Sequence, residues 1–303
     1  MDKFKSALRS ILAFFGVIAI LAVIAFFFVK PYYYIYIGKS DLGLCSERLD
    51  TLRSAGGFMK DTADFRMTTI RDSARAKEIL DYFQLDTLYS SDADTWTKAL
   101  AIGKFVASNI PHDNQREWPQ AVNAIGLWEY TKTVAPAFNC RLHSILTFEL
   151  LFAAGIEARY VTCMPQDQND NDCHVVNEIW LPELGKWAML DTDSGGYYVS
   201  NTEGTPLSLR EMRERFISGE KMVIYPSFEN GSSKKSWYYS YMAKNTYWFA
   251  CWGELSYYQE DYKVGNVVRD HYVVLIPSGY EPFGIGDGNT LTTDADRFWA
   301  PPV

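Results

Sequence analysis

Residues 139–193 carry a pattern that few folds accommodate. Asn139 can cap a helix opening at Cys140, whose apolar positions are Leu142, Ile145, Leu146, Phe148, Leu151 and Phe152. Gly155 is a natural stop, because glycine readily takes the left-handed conformation that ends helices. Ile156–Cys163 then reads as a strand. A polar loop, PQDQNDND at 165–172, separates it from two further strands, Val175–Leu181 and Lys186–Asp191. These flank the turn sequence Pro182-Glu183-Leu184-Gly185. A helix, a strand and a hairpin thus follow one another in this order.

The hairpin also predicts which side chains meet. Strand side chains alternate faces, and an even-length turn pairs residues whose numbers sum to an odd value. If Leu181 pairs with Lys186, Val176 lies opposite Asp191. His174 is then the diagonal neighbour of Asp191 on the same face, at ~7–8 Å between backbones. Asp193 shares that face. Cys140 sits where the helix field favours a thiolate. A thiolate needs a base or ion-pair partner, and that base needs an orienting acceptor. His174 is the candidate base; Asp191, with Asp193 as its fallback, is the candidate acceptor.

These residues resemble a known family. NCRLHSILTFELLFAAGIEARYV (139–161) followed by CHVVNEIWLPELGKWAMLDTDSG (173–195) is similar to the transglutaminase-like superfamily. That pattern has a Cys opening a helix, Gly-Ile-x-Ala-Arg-Tyr-Val leading into a strand, a His opening a second strand, and Trp then Asp closing a third. The resemblance covers about 92–195 and includes the helical stretch around Trp96–Ile110. It departs from many members at Phe138-Asn139, where they carry Gly and a small or acidic residue. The resemblance implies a papain-like α+β fold, with Cys140 as nucleophile, His174 as base and Asp191 as orienting acid. It implies thioester-mediated acyl transfer on amide bonds, resolved by water (protease or amidase) or by an amine (cross-linking acyltransferase). The mechanism requires no cofactor. The Cys140 backbone N–H is the natural oxyanion donor; Trp118 and Trp128 are side-chain candidates.

Alternatives to this chemistry are an inactive binding module that keeps the pocket, and a zinc site built from Cys140, His143, Cys173 and His174. The second is disfavoured because adjacent strand residues face opposite ways. His143, one turn into the helix, reads as structural or pocket-lining, and His112 and His271 as structural or exposed. Cys163 with Cys173, and Cys45 with Cys251, are expected disulfide pairs in an oxidising compartment, leaving Cys140 free.

The other strong constraint is ILAFFGVIAILAVIAFFFV at 11–29, nineteen residues without a charge. At ~1.5 Å per residue it is long enough to span a bilayer. No small-residue cleavage pattern follows, whereas Tyr32, Tyr33, Tyr34 and Tyr36 suit the headgroup layer. The run therefore reads as an uncleaved anchor. Lys3, Lys5 and Arg9 favour a cytoplasmic amino end, with the main domain outside the cytoplasm.

Charge narrows the partners. Lys3, Lys5, Arg9 and Lys30 against Asp2 give the first thirty residues +3, which leaves −11 for the rest of a chain whose total is −8. So acidic a body excludes general nucleic-acid binding, which needs cations against phosphates. With 48% hydrophobic residues the chain is not a disordered one. The resemblance implies instead a peptide, protein or peptidoglycan-like substrate.

Expected helices run over 71–84, from Asp92 or Asp94 to 110, over 120–131 and over 207–218, with a strand at 271–276. The aromatic stretch from Trp237 to Trp252 reads as β core, with a glycan- or peptide-binding surface as its alternative. The expected organisation is a cytoplasmic tail (1–10), a transmembrane anchor (11–29), a tether with a helical segment (30–90), a catalytic core (91–200) and an α/β extension (201–303).

Overall fold

Side chains that accept backbone hydrogen bonds fix where the helices begin. In the computed structural model, which describes residues 2–24, 45–229, 235–261 and 271–302, with side chains from residue 13 onward, the chain divides into two units, Met1–Arg48 and Leu49–Val303. α1 (Asp2–Ile24) lies in the first unit, and residues 45–54 form α2. The described side chains of α1 are apolar and exposed, Phe14, Phe15, Ile18 and Leu21 among them. α1 covers the first part of the expected span 11–29, and 25–29 lie outside the described residues, as do the tyrosines at 32–36. Among the described residues no helix is long and apolar enough to cross a membrane.

In the second unit Asp72, Asp94, Asn123 and Asn139 cap α3 (Ser73–Phe83), α4 (Thr95–Asn109), α5 (Ala124–Thr133) and α6 (Cys140–Ala153). Ser208 and Glu211 form a reciprocal capping box on α7 (Leu209–Ser218). Each such cap contributes about 1 kcal/mol. Gly155 has φ +77°, a conformation that turns the chain out of α6 toward the next strand.

β1 (Thr68–Ile70) pairs in parallel with β8 (Glu254–Ser256) in a small two-stranded sheet. The main sheet is built from β2 (Ala158–Met164), β3 (His174–Leu181), β4 (Lys186–Asp191), β5 (Tyr197–Ser200), β6 (Val223–Pro226), β7 (Trp248–Trp252), β9 (Tyr272–Leu275) and β10 (Thr290–Thr292). Its order is β10-β9-β7-β2-β3-β4-β5-β6, antiparallel except for the β9–β10 pair. Leu181 pairs with Lys186, the register the even-length turn predicts. The residues expected to form an extension at 201–303 supply β6, β7, β9 and β10, and so complete the same sheet as the core strands.

Strand alternation sends side chains into two cores. Val175, Ile179, Leu181, Ala188 and Leu190 pack with α3–α6 on one face. Val176, Met189, Tyr197 and Val199 pack with α7 and α8 (Lys235–Asn245) on the other. In α6 every residue from Leu142 to Ala153 is buried, which explains why its sequence is apolar nearly all round.

Two expectations are corrected here. The stretch from Trp237 is not all β core: 235–245 are helical, and only Trp248–Trp252 is a strand. Tyr238 and Met242, one helical turn apart, are both buried in the second core, so burial of this face overrides the strand propensity of the aromatics. The two expected disulfides are absent, and all five cysteines are free thiols. Cys163 pairs directly with His174 across β2 and β3. It therefore shares a face with His174, while Cys173, one residue earlier, lies toward the other face. Cys251 is buried within β7.

Candidate active site

α6 delivers Cys140 and the central strands deliver its partners. His174 is the first residue of β3 and Asp191 the last of β4. Because Asn177 registers with Leu190, the two are diagonal neighbours on one face. The His174 Nε2–H donates to Asp191 Oδ2 at 2.7 Å, and both residues are buried. The Cys140 side chain lies beside the same ring and favours its charged form. With Nε2 committed to Asp191, Nδ1 is the nitrogen left for the sulfur. Burial alone would discharge this imidazole. The Asp191 carboxylate, reinforced by its hydrogen bond and by Cys140, outweighs burial and holds the His174 pKa well above its ordinary value.

Asp191 is fixed from three directions. Besides His174, the Tyr238 hydroxyl donates to Oδ2 at 2.9 Å and the Asp193 backbone N–H donates to Oδ1 at 2.9 Å. Burial pushes the Tyr238 phenol well above its usual range, so it stays an O–H donor. Its ring stacks on Tyr197 with centroids 3.9 Å apart. This carboxylate therefore has little freedom to turn away from His174.

The first turn of α6 is anchored independently. Arg141 grips Glu260 with two hydrogen bonds, at 2.7 and 2.6 Å, and also donates to the Tyr272 hydroxyl. Just before Cys140, Gln115 accepts from the Asn139 N–H and donates to the Ala137 carbonyl. These contacts hold the helix terminus in place, and its leading N–H groups have no helical carbonyl to bond. The Cys140 N–H, at the start of α6, is one of these leading groups. Of the expected side-chain donors, Trp128 packs instead against Phe83 and Phe105 in the first core, and Trp118 is 43% exposed.

Asp193 does not serve as a second acceptor for His174. It accepts from His112 Nδ1 at 2.8 Å, so His112, expected to be structural or exposed, is a half-exposed partner of a buried carboxylate. His143 is fully buried beneath Cys140, with Nε2 3.7 Å from Asp193, beyond hydrogen-bond range. Burial lowers its pKa and keeps it neutral. His271 begins β9's approach and is exposed. Among the described residues no cluster of three or more His, Cys, Asp or Glu is arranged to hold a metal ion.

Sequence reasoning missed Tyr238, Gln115 and the His112–Asp193 pair. It also missed Tyr241, whose ring stands edge-on to His174 at 5.2 Å between centroids. The signal for Tyr238 and Tyr241 was their spacing of three, which places them on one helical face once 235–245 is known to be a helix.

Three comparisons bear on this geometry. A solved structure from Cytophaga hutchinsonii, of a protein provisionally named a cysteine protease, is similar to this chain at 20% sequence identity and a TM-score of 0.31. That match covers 39% of this chain and 37% of the other, so the chain spans little more than a third of its length. No curated protein matches the chain. The model of the Transglutaminase-like superfamily matches residues 81–192, an interval that holds Cys140, His174 and Asp191. Residues 81–192 therefore match a transglutaminase-like domain.

Proposed function

We propose that the chain is a cysteine-dependent enzyme that cleaves or transfers amide bonds of a peptide or cell-envelope substrate. The Cys140 thiolate attacks the amide carbonyl, with the carbonyl oxygen turned toward the Cys140 N–H. The His174 imidazolium gives its proton to the departing nitrogen as the C–N bond breaks, leaving an acyl thioester on Cys140. Water or an amine then adds to the thioester and gives a proton to His174. The C–S bond breaks and the thiolate returns. Asp191 keeps the ring oriented and supports its positive charge in both halves of the cycle.

The single observation that carries this reading is the buried His174–Asp191 hydrogen bond beside Cys140 at the amino end of α6, with the His174 pKa held up by Asp191. The exposed apolar side chains of α1 and the uncharged run 11–29 support a further element, a single membrane anchor with the catalytic unit outside the cytoplasm.

The test is capture of the thioester. Full-length chain incubated with peptide amides and quenched in acid is expected to carry an acyl group on Cys140, found by mass spectrometry and removed by hydroxylamine. Cys140→Ala is expected to carry none. Turnover of those amides without any adduct, and undiminished in Cys140→Ala, would contradict covalent catalysis.

A further inference from the structure

Beside the catalytic histidine lies an aromatic shelf that the chemistry above does not use. Trp237, in the first turn of α8, is 51% exposed. Its indole stacks on the Tyr241 ring with centroids 5.0 Å apart and planes 10° from parallel. Tyr241 in turn stands 5.2 Å from the His174 ring. The indole therefore lies no more than about 10 Å from the imidazole. Successive residues of a bound peptide are ~3.8 Å apart, so that is the reach of a side chain one or two residues from the scissile bond.

Among the described residues, the polar groups next to Tyr241 are already engaged. The Tyr241 hydroxyl is within hydrogen-bond distance of Asp172 and the Cys173 carbonyl. Lys244 binds Asp170 and Asp172. The Tyr238 hydroxyl belongs to Asp191. A sugar needs donors for its hydroxyl oxygens, and the Tyr241 and Tyr238 hydroxyls and Lys244 offer it none that is free. A cationic side chain needs unpaired carboxylate, and Lys244 offsets the two nearest. What remains on offer is an indole surface held rigid by the ring beneath it, which suits a flat apolar group.

We propose that Trp237, backed by Tyr241, is a specificity subsite for an aromatic side chain flanking the amide bond that Cys140 attacks. This rests on the thiol chemistry proposed above and adds the class of residue the substrate carries. Tyr241 has two duties here, shielding His174 on one side and seating Trp237 on the other. Trp237 meets His174 through Tyr241 and acts on the substrate.

The test compares three chloroacetamides as alkylating agents of Cys140 in the full-length chain: the unsubstituted reagent, its N-phenylethyl derivative and its N-aminoethyl derivative. Label is located by mass spectrometry. The phenylethyl reagent is expected to react at least about tenfold faster than the unsubstituted one, a difference of about 1.4 kcal/mol. That ratio is expected to fall to about twofold or less in Trp237→Ala and to survive in Trp237→Phe. Equal rates for the two reagents would overturn the subsite, as would a preference for the ammonium reagent or a phenylethyl preference that persists in Trp237→Ala. A chain in which no reagent labels Cys140 would overturn the thiol chemistry itself, and the subsite with it.

Discussion

His174→Ala is expected to lower amide turnover at Cys140 by about 10³-fold or more, the scale on which enzymes lose general acid–base help. Two losses combine. The thiol loses the charged ring beside it, and the leaving nitrogen loses its proton donor. The variant should still fold. Asp191 keeps two of its three donors, the Tyr238 hydroxyl and the Asp193 N–H, so its buried charge is not abandoned. Circular dichroism and a thermal melt beside the kinetics separate these effects. An inactive variant that has lost its melt would speak of folding alone. One that melts normally and keeps turnover within about tenfold of the unaltered chain would show that His174 is not the base.

The second large effect lies on the same strands, away from the thiol. Arg159, in the Gly-Ile-Glu-Ala-Arg junction, meets Glu178 across β2 and β3, with both side chains buried. Arg159 Nη2 and Nε donate to Glu178 Oε2 at 2.5 and 3.1 Å, and Nη1 donates to the Phe298 carbonyl at 2.8 Å. Glu178 further accepts from the Leu209 N–H and the Trp299 indole. One ion pair thus joins the sheet, the start of α7 and the carboxyl-terminal segment. Arg159→Ala strands a buried carboxylate, which costs about 3–5 kcal/mol. That is a large fraction of the about 5–15 kcal/mol that keeps a domain folded. Urea unfolding is expected to show this loss, and Arg159→Met with Glu178→Gln to regain part of it by removing the charge as well. A cost below about 1 kcal/mol for Arg159→Ala would mean that the pair is not what ties these segments together.

The junction also shows what the sequence makes legible. Caps, the Gly155 stop and the β3–β4 hairpin are local: a few neighbouring residues decide each, and the structure places them within a residue or two of where the spacing puts them. The approach of His174 to Asp191 follows from the same locality, because the parity of one turn sets the face of both side chains. The groups that complete the site come from far along the chain. Tyr238 is 47 residues from Asp191, His112 is 81 from Asp193, and Gln115 is 24 from Asn139. No local spacing encodes such meetings. The aromatic stretch misleads for a different reason. Tyrosine and tryptophan favour strands by shape, yet here their helical spacing matches a sheet face that needs covering, and burial decides. The disulfide expectation fails on direction: Cys163 and Cys173 lie close along the hairpin but on opposite faces.

The central claim is that Cys140 and His174 form an ion pair, and the pH dependence of Cys140 alkylation tests it most directly. Because Asp191 holds the His174 pKa well above its ordinary ~6.5, the ring stays charged at neutral pH and loses its proton only as pH rises further. In such a pair a thiolate would be available in mild acid, where an ordinary thiol, with a pKa near ~8.5, is protonated. Iodoacetamide labelling of the full-length chain from pH 4 to 9, with mass spectrometry to locate the label, is expected to show Cys140 reacting readily at about pH 6. In His174→Ala the profile is expected to move toward the alkaline range of free thiols. Labelling that rises only near pH 8.5 and is the same with or without His174 would contradict the ion pair, and with it the enzyme.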